Sequence, residues 1–336
     1  MKIESDYSLL SHNTFGVDAR CRWFVEYNSI DELQTLLRDE YFRELPSLHI
    51  GGGSNLLFVN DFEGAILHSA IKQISVTDET ADFIELFVGA AVVWDNLARH
   101  CVENGWYGAE NLSLIPGETG AAAVQNIGAY GVEVKDLIQS VQTIDIASGE
   151  EVWFERDDCR YGYRRSIFKE ELKGRKIITG VCFRLSKKER YSLEYGNIKD
   201  QLHDTANLSL PQVRETIIAI RNDKLPDWKR YGNAGSFFMN PSVKSVFFNK
   251  LKLSYPNVPG YPLENGNVKI PAAWLIEQCG WKGKREGDAG VWPKQPLVLV
   301  NYGGATGADI ASLAEAIKLS VAEKFDIDIS PEVMYI

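Results

Sequence analysis

Pro-Gly-Glu-Thr-Gly-Ala-Ala-Ala-Val-Gln-Asn-Ile-Gly-Ala-Tyr-Gly, residues 116–131, is the stretch that decides the fold of this chain. It packs four glycines and four alanines around one amide pair, Gln125 and Asn126. A run with so few large side chains cannot build a core of its own, but glycine tolerates positive φ and leaves backbone N–H groups accessible. Successive accessible N–H groups form a concave donor surface, so the stretch predicts a diphosphate-binding loop.

A second glycine-rich element, Gly51-Gly52-Gly53-Ser54-Asn55, lies upstream between two apolar runs. Either element alone is also typical of an ordinary turn. Together, about sixty residues apart, they indicate one long ligand with a phosphate group in its middle. Neither is a Walker loop, because no Gly-Lys-Ser/Thr follows, and neither has the Gly-x-Gly-x-x-Gly pattern of the Rossmann fold. A dinucleotide would therefore be held by a different fold.

Size and charge limit the classes of protein to which this chain can belong. The 336 residues predict two or three domains, and a hydrophobic content of 45% is sufficient for sizeable cores. With 46 acidic against 36 basic residues, the formal charge is −10. This balance argues against nucleic acid as a partner, because phosphate backbones are bound by basic surfaces. A local basic cluster remains compatible with an anionic small molecule.

Cysteine usage and hydropathy indicate the compartment. The five cysteines, at positions 21, 101, 159, 182 and 279, include no C-x-x-C pair. This is typical of a reduced protein without a disulfide framework or a zinc site. The N-terminal residues have no apolar core for a signal peptide, and no run approaches the roughly 18 apolar residues of a membrane span. We expect a cytoplasmic protein without membrane insertion or a bound metal.

Hydrophobic periodicity predicts an α+β fold. The predicted strands cover residues 21–27, 48–50, 64–67, 71–77, 83–89, 138–146, 152–154, 176–185, 297–301 and 329–336. The predicted helices cover residues 29–40, capped by Ser29 or Asp31, and 94–104, 211–222, 272–279 and 308–325. Residues 255–266, dense in glycine and proline, are expected to form an exposed loop. These elements suggest a ligand-binding half near residues 1–205 and a smaller unit from about 210 to 320.

Seven motifs follow one another along nearly the whole chain. They are Asn13-Thr14-Phe15-Gly16, Gly51-Gly52-Gly53-Ser54-Asn55, the stretch 116–131, Cys159-Arg160-Tyr161-Gly162-Tyr163-Arg164, Lys224-Leu225-Pro226, Gly232-Asn233-Ala234-Gly235-Ser236-Phe237-Phe238 and Pro331-Glu332-Val333. With this set the chain resembles the UDP-N-acetylenolpyruvoylglucosamine reductase family, flavoenzymes that complete UDP-N-acetylmuramate for bacterial peptidoglycan. The short match around Tyr195 resembles the branch that closes a tyrosine loop over the nucleotide.

The resemblance implies a fold and a domain division. The expected fold is α+β, with an FAD-binding module of the vanillyl-alcohol-oxidase (PCMH) type and a smaller C-terminal α/β substrate-binding domain. The implied domains are residues 1–70 and 71–208, the latter completed by a strand at about 326–336, and a substrate-binding domain at 209–325.

The resemblance also implies the cofactors. FAD would be held by both glycine-rich elements, with backbone donors on its pyrophosphate and the amide pair on its flavin, and NADPH would be the co-substrate. The implied FAD-binding residues are Gly51, Gly52, Gly53, Ser54, Asn55, Pro116, Gly117, Gly120, Gln125, Asn126, Gly128, Ala129, Tyr130 and Gly131.

Three catalytic residues follow from the family reaction, in which hydride reaches the β-carbon of an enol ether conjugated to a carboxylate. Arg164 would grip that carboxylate through two parallel N–H bonds. Ser236 would give the proton to the α-carbon. Glu332 would donate to the developing enolate if protonated, or orient Arg164 if ionised. Position 165 departs from better-known members, since an arginine stands where an acid is expected.

Taken without the resemblance, each catalytic residue has an ordinary structural interpretation. Arg164 fits a surface turn, Ser236 the end of a glycine turn, and Glu332 a solvated strand. The implied substrate contacts are Tyr163, Tyr195, Arg221, Lys224, Asn240 and Gln295. Lys224 also fits an ordinary lysine at a helix C-terminus.

Two alternatives stay open. A flavin oxidase of the same fold would use oxygen, and such oxidases often carry a histidine for covalent flavin attachment; His49 directly precedes the triple glycine. The other alternative is a nucleotide-binding sensor without catalysis. The competent residues at all three catalytic positions argue against it. The expected partners are a UDP-sugar and NADPH, bound by a monomer.

Overall fold

The computed structural model describes residues 1–195, 198–202 and 208–336. The chain forms two compact units. Unit 1 comprises Met1–Tyr7, Cys21–Gly52 and Glu63–Arg221, and unit 2 comprises Ser8–Arg20, Gly53–Phe62 and Asn222–Ile336. The upstream glycine-rich element is therefore divided, with Gly52 ending a segment of unit 1 and Gly53 beginning one of unit 2. The three-part division implied by the resemblance stays a prediction.

The strands of the described residues are β1 Lys2–Ser8, β2 Arg20–Tyr27, β3 Ser47–Ile50, β4 Leu56–Leu57, β5 Phe62–Ser69, β6 Ile74–Glu79, β7 Phe83–Gly89, β8 Gly128–Ala129, β9 Val132–Glu133, β10 Ile138–Asp145, β11 Glu151–Glu155, β12 Lys176–Ser186, β13 Ser242–Lys244, β14 Tyr261–Pro262, β15 Asn267–Lys269, β16 Arg285–Glu286, β17 Ala289–Val291, β18 Leu299–Asn301 and β19 Met334–Tyr335. The α-helices are α1 Ile30–Arg38, α2 Glu40–Glu44, α3 Trp94–Glu103, α4 Thr119–Gln125, α5 Ile198–Gln201, α6 Leu210–Lys224, α7 Ser245–Ser254, α8 Ala272–Gln278 and α9 Gly307–Phe325.

The described residues of unit 1 form a five-stranded sheet, a four-stranded sheet and the two-stranded pair β8-β9. The first has the order β11-β10-β12-β7-β6 and is antiparallel. Its register places Val141 opposite Val181, and Val181 opposite Val88, so one face carries a row of fully buried β-branched side chains. Helices α3 and α4 add Trp94 and Ala122 to the same core. This packing fixes the start of the glycine-rich stretch that contains α4.

The second sheet of unit 1 has the order β1-β2-β5-β3, with β3 and β5 parallel. Its core combines side chains from β2 and β5 with Leu33 and Leu36 of α1. The Ser29 hydroxyl caps α1 by accepting from the Glu32 N–H, as predicted. Because β3 ends at Ile50, this sheet carries Gly51 and Gly52 at its edge.

Unit 2 is built around α9, whose N-terminus has a capping box between Thr306 and Asp309. Two three-stranded sheets, β13-β15-β14 and β16-β17-β18, and the parallel pair β19-β4 complete it. Buried Asn301 donates to the carbonyl oxygen of Phe15 over 3.1 Å, and a Cβ on Gly232 would lie 1.9 Å from the same oxygen. The N-terminal segment of unit 2 is therefore closely packed against its C-terminal part.

The structure confirms the predicted α+β content and most predicted elements, and it adds short elements that were not predicted, such as the strand β1 and the helix α2. Helix α4 lies inside the glycine/alanine stretch, where no helix was expected, because a triple alanine favours a helix even beside glycine. Helix α7 was not predicted. The expected loop 255–266 contains the short strand β14, and the expected strand 329–336 is reduced to β19. Among the described residues no helix is long and apolar enough to cross a membrane.

Candidate active site

The two glycine-rich elements meet in unit 1. A Cβ on Gly52 would lie 3.5 Å from the Cα of Gly117, and a Cβ on Gly51 would lie 3.1 Å from Glu118 Oε2 and 3.3 Å from the Cβ of Ala121. In the part of the chain that the structure describes, neither the Gly52 nor the Gly117 N–H donates a hydrogen bond. Facing turns with bare backbone donors and no side chains are what a diphosphate requires, so these residues fit FAD.

The remaining residues of the upstream element belong to unit 2 and act in its packing. Gly53 has φ 63°, and a Cβ there would lie 1.9 Å from the carbonyl oxygen of His12, so only glycine fits. Asn55 donates from Nδ2 to the carbonyl oxygen of Glu332 over 3.1 Å, and its own carbonyl accepts from the Met334 N–H. The turn 53–55 is thereby joined to the C-terminal segment that carries Glu332.

The second glycine-rich stretch is held rigidly through its backbone. The Trp94 N–H donates to the Gly117 carbonyl over 3.0 Å, and the Thr119 hydroxyl donates to the Val92 carbonyl over 2.9 Å. A Cβ on Gly120 would lie 2.9 Å from the Cβ of Ala90, so this glycine is needed for close packing of α4. The loop that would meet a phosphate is fixed in place before any ligand binds.

The side chains of Gln125 and Asn126 have different roles. Asn126 is fully buried with φ 44°, and its Nδ2 donates to Glu133 Oε2 and to the Gly162 carbonyl, while its Oδ1 accepts from the Lys135 N–H. Both of its amide hydrogens are thus used inside the protein, where they fix the turn after α4. Gln125 accepts from Lys169 Nζ over 2.7 Å, and no described group bonds its Nε2. Of the two predicted flavin contacts, Gln125 is the one with a donor to offer.

Arg164 is anchored on the same stretch. Its Nη2 donates to the Gly128 carbonyl over 3.0 Å and its Nη1 to the Asn126 carbonyl over 3.4 Å. Its guanidinium carbon lies 5.4 Å from the ring centroid of Tyr163, and its backbone has φ 57°. The left-handed backbone and the carbonyl contacts aim a permanent cation at the 126–131 loop.

Predicted substrate contacts surround the end of this loop. The Tyr195 Cβ lies 3.2 Å from the position of a Cβ on Gly131, and the Tyr195 side chain is 62% exposed. Arg221 is half-buried beside Tyr130, and its buried Nε has no hydrogen-bond partner among the described residues. Burial raises the pKa of Tyr130, and the Arg221 charge opposes that rise. An arginine with an unused buried donor is suited to an anion.

Ser236 and Glu332 are positioned by backbone pairing within unit 2. Gly235 has φ 67° and its N–H donates to Asn233 Oδ1, so the turn presents Ser236 as an exposed side chain. Fully buried Phe237 anchors the next position, and its carbonyl accepts from the Glu332 N–H over 2.8 Å. The structure therefore brings the predicted proton donor and the predicted acid onto adjacent backbone segments.

The other predicted substrate contacts in unit 2 differ in the hydrogen-bonding groups that remain available for a ligand. Asn240 Oδ1 accepts from the Ala272 N–H at the start of α8, which leaves its amide NH₂ as the donor. Gln295 Oε1 accepts from the Leu297 N–H over 3.4 Å. Lys224 is exposed at the end of α6, so it is able to meet a phosphate or to remain a solvated lysine.

A buried group of ionisable side chains beneath the glycine turns was missed by the sequence analysis. Ring nitrogens of His68 lie 3.0 Å from Glu26 and 3.3 Å from Glu118, while the His49 Nε2 lies 2.7 Å from the Tyr27 hydroxyl. Burial, and then the charge of His68, lower the pKa of His49 to about 3. No motif could reveal this group, because its members come from separate strands. The His49 side chain is half-buried, and its Nε2 is already engaged with the Tyr27 hydroxyl.

Together, the sheet arrangement and the bare glycine turns define an FAD-dependent α+β oxidoreductase, and similar proteins agree. A family model described as "FAD binding domain" matches residues 22–155. A second, described as "UDP-N-acetylenolpyruvoylglucosamine reductase, C-terminal domain", matches residues 227–336.

Full-length relatives identify the family. A UDP-N-acetylenolpyruvoylglucosamine reductase from Bacteroides fragilis is 55% identical over 334 residues, covering 99% of this chain and 100% of the relative. One from Porphyromonas gingivalis is 49% identical over 337 residues and covers 100% of both. The chain belongs to the UDP-N-acetylenolpyruvoylglucosamine reductase family. A solved reductase from Thermus caldophilus, 22% identical with a TM-score of 0.71, covers 100% of this chain and 99% of that chain and supports the fold. Membership of the tyrosine-loop branch stays a prediction.

Proposed function

We propose that this protein reduces UDP-N-acetylglucosamine enolpyruvate to UDP-N-acetylmuramate with NADPH as the source of hydride. The overall change consumes one NADPH and one proton, and converts a carbon–carbon double bond into a lactyl ether. The observation that carries the proposal is the backbone bond from Glu332 to Phe237, which supports it because it joins the segment of the proposed proton donor Ser236 to that of the proposed acid Glu332. Full-length identity to reductases of this name supports it.

Bound FAD would accept hydride from NADPH and deliver it to the substrate β-carbon. The protein's contribution to cofactor binding comes from the facing turns at Gly52 and Gly117 and from the Gln125 amide. Their fixed backbone would bind a diphosphate without reorganisation.

Arg164 holds the substrate carboxylate, where negative charge accumulates as hydride arrives. A guanidinium stays charged at any working pH and matches a carboxylate through two parallel N–H bonds. Its bonds to the Asn126 and Gly128 carbonyls keep the fork oriented before substrate binds. Stabilisation of developing charge by such a preorganised donor lowers the barrier more than it strengthens ground-state binding.

Ser236 donates its hydroxyl proton to the α-carbon and regains a proton from water after turnover. Serine is a weak acid, so its alkoxide must be stabilised as it forms. We assign to Glu332 the neighbouring polar role, either as a protonated donor to the enolate or as an ionised partner that orients Arg164.

Tyr163, Tyr195, Arg221, Lys224, Asn240 and Gln295 bind the nucleotide portion of the substrate in this proposal. Supporting observations are the exposed ring of Tyr195, the unpaired buried Nε of Arg221 and the remaining amide donors of Asn240. We also propose a cytoplasmic monomer, with the three-domain division at about residues 70 and 208.

A steady-state assay tests the activity. Oxidation of NADPH should depend on the enolpyruvyl substrate, and mass spectrometry should find UDP-N-acetylmuramate in equal amount. In deuterated water the product should carry one solvent deuterium at its α-carbon. NADPH oxidation that depends on oxygen and not on the substrate would favour the flavin oxidase alternative.

A further inference from the structure

A row of alternating charges lies next to the glycine turns of unit 1, buried at His68 and Glu118 and partly exposed at Glu26. Glu26 on β2, His68 on β5 and Glu118 at the start of α4 lie in line, with His68 in the middle. The side chains of His68 and Glu118 are 8% and 12% exposed. Glu118 does not cap its own helix, since its side chain turns to the histidine instead.

Glu118 is the acid that touches both glycine-rich elements. It follows Gly117 in the chain, and its Oε2 lies 3.1 Å from the position that a Cβ on Gly51 would occupy. A carboxylate in this place repels a diphosphate bound to the same turns, and the low dielectric of a buried location strengthens the repulsion. The turns therefore need a nearby cation to bind FAD well.

His68 meets that need in its charged form. A neutral imidazole has one N–H donor, whereas two carboxylates here face its two ring nitrogens. Burial opposes the charge, but the hydrogen bonds and charges of Glu118 and Glu26 outweigh it and raise the pKa of His68 above its ordinary value. An imidazolium satisfies both acids and leaves the row with a net charge of −1 rather than −2.

The other groups around the row do not replace this proton. His49 on β3 is neutral and bonds the Tyr27 hydroxyl, and burial raises the pKa of Tyr27. The ring of Phe24 stacks on His68 with centroids 6.0 Å apart. Lys2 on β1 is exposed and interacts electrostatically with Glu26, at the far end of the row from Glu118.

We propose that His68 is a positioning residue for FAD, which in its charged form fixes Glu118 and neutralises it beside the diphosphate-binding turns. The assignment rests on the proposed binding of the FAD diphosphate by those turns. The direction of the pH effect follows from the charges. Deprotonation of His68 makes the net charge next to the diphosphate more negative by one, so FAD is bound more weakly as pH rises. By linkage the Kd increases by up to about tenfold per pH unit between the pKa values of His68 without and with FAD.

Dilution of the holoenzyme tests the inference, because released FAD regains its fluorescence and the Kd follows from the released fraction. The wild type should show a Kd that rises with pH above the ordinary histidine pKa of about 6.5, because the pKa of His68 is raised. His68→Gln should bind FAD about tenfold more weakly near pH 6 and lose the pH dependence. Glu118→Gln should bind at least as tightly as the wild type across the range, with a flat profile.

The double variant separates a charge effect from simple damage. His68→Gln/Glu118→Gln should recover the affinity that His68→Gln loses, since no carboxylate then needs neutralisation. His100→Gln, on α3 outside the row, is the matched control and should keep the wild-type profile. A wild-type pH profile in His68→Gln, or additive losses in the double variant, would overturn the inference.

Two further outcomes are distinguishable. If His68→Gln does not fold, the Glu118→Gln profile and an NMR titration of the His68 ring with and without FAD decide the question, and an unchanged ring pKa on FAD binding contradicts the inference. If the wild type fails to bind FAD at every pH, the proposed diphosphate site itself is wrong.

Discussion

The backbone N–H of Glu332 donates to the carbonyl oxygen of Phe237 over 2.8 Å, so the residue that follows Ser236 pairs directly with the acid of the C-terminal segment. Phe237 is fully buried, and its N–H donates in turn to the Leu297 carbonyl. These two bonds fix the backbone on which the exposed Ser236 hydroxyl is presented. Precision at this position matters, because proton transfer to carbon depends on short distances and alignment.

Ser236→Ala should abolish the second half of the reaction and spare the first. We expect the rate of substrate reduction to fall by about a hundredfold to ten thousandfold, the range for loss of a positioned general acid. Reduction of the flavin by NADPH should be unchanged, as stopped-flow spectroscopy of the two half-reactions will show. Ser254→Ala, at the end of α7, is the control. Equal slowing of both half-reactions would remove Ser236 from the proton-transfer role.

Arg164→Lys should keep the positive charge but lose the two-pronged grip on a carboxylate. The expected cost is about tenfold to a hundredfold in kcat/KM for the enolpyruvyl substrate, since a charged hydrogen bond contributes about 1.5–3 kcal/mol. The neighbouring Arg165→Lys is a matched control, because Arg165 is exposed and pairs with Glu170 over 2.6 Å. If both variants behave alike, the bonds from Arg164 to the 126–131 loop have no catalytic meaning.

Gly52→Ala and Gly149→Ala should separate cofactor binding from stability. A methyl group on Gly52 would lie 3.5 Å from Gly117, an ordinary contact that the fold tolerates, but it would occupy the space between the facing turns. We expect FAD affinity to fall by about tenfold or more, from overpacking costs of roughly 1–3 kcal/mol. Gly149 has φ 74° with open space around it, so alanine there should cost about 1 kcal/mol of unfolding free energy and leave FAD affinity intact.

FAD release on dilution and denaturant unfolding of both variants provide the comparison. Undiminished FAD affinity in Gly52→Ala would place the diphosphate elsewhere. A change in FAD affinity in Gly149→Ala would mean that the hairpin between β10 and β11 influences the cofactor site, which nothing in its surroundings suggests.

Arg214 and Asp95 should contribute strongly to the stability of unit 1. Arg214 Nη1 and Nη2 donate to the two Asp95 oxygens over 2.8 and 2.9 Å, and Asp95 also accepts from the Leu114 N–H. Burial opposes ionisation of Asp95, but these bonds together lower its pKa below the ordinary value. Arg214→Met should cost about 3 kcal/mol of unfolding free energy, because it leaves a half-buried charge without its partner.

The pH dependence of this contribution follows from the lowered pKa. The stabilisation is present above the pKa of Asp95 in the unfolded chain and is lost as pH falls through its value in the folded protein. Urea unfolding at neutral and acidic pH measures the difference between wild type and Arg214→Met, which should shrink in acid. Arg99→Met, which breaks an exposed 3.8 Å pair with Glu103, should change stability by no more than about 0.5 kcal/mol. A loss in Arg214→Met as small as that would contradict the assignment.

Hydrophobic periodicity predicted those strands and helices whose own residues follow a regular apolar spacing. The strand β7 and the helix α3 have regular apolar spacing, and the structure places them within a residue of the expected bounds. Helix α4 was missed because its residues, Thr119–Gln125, carry no apolar stripe, and its packing depends on the contact between Gly120 and Ala90. That contact joins segments about thirty residues apart, which no periodicity reports.

The sequence predicted those residues of the candidate site that belong to short contiguous motifs. The glycine turns, Arg164 and Ser236 stand in short motifs, so the resemblance could indicate them. Their partners could not be found in this way. The bond between Asn55 and Glu332 joins residues 277 positions apart, and the row of Glu26, His68 and Glu118 draws on three distant segments. Such relationships arise only when the chain is folded.

The measurement that tests the central claim most directly is an anaerobic visible spectrum of the purified protein through one cycle. NADPH is added first, and UDP-N-acetylglucosamine enolpyruvate second. The proposed function predicts that the flavin colour bleaches with NADPH and returns with the enolpyruvyl substrate in wild type, whereas in Ser236→Ala it bleaches and stays bleached. Bleaching without return in the wild type would contradict the proposed substrate, and rapid return in Ser236→Ala would contradict the proposed proton donor.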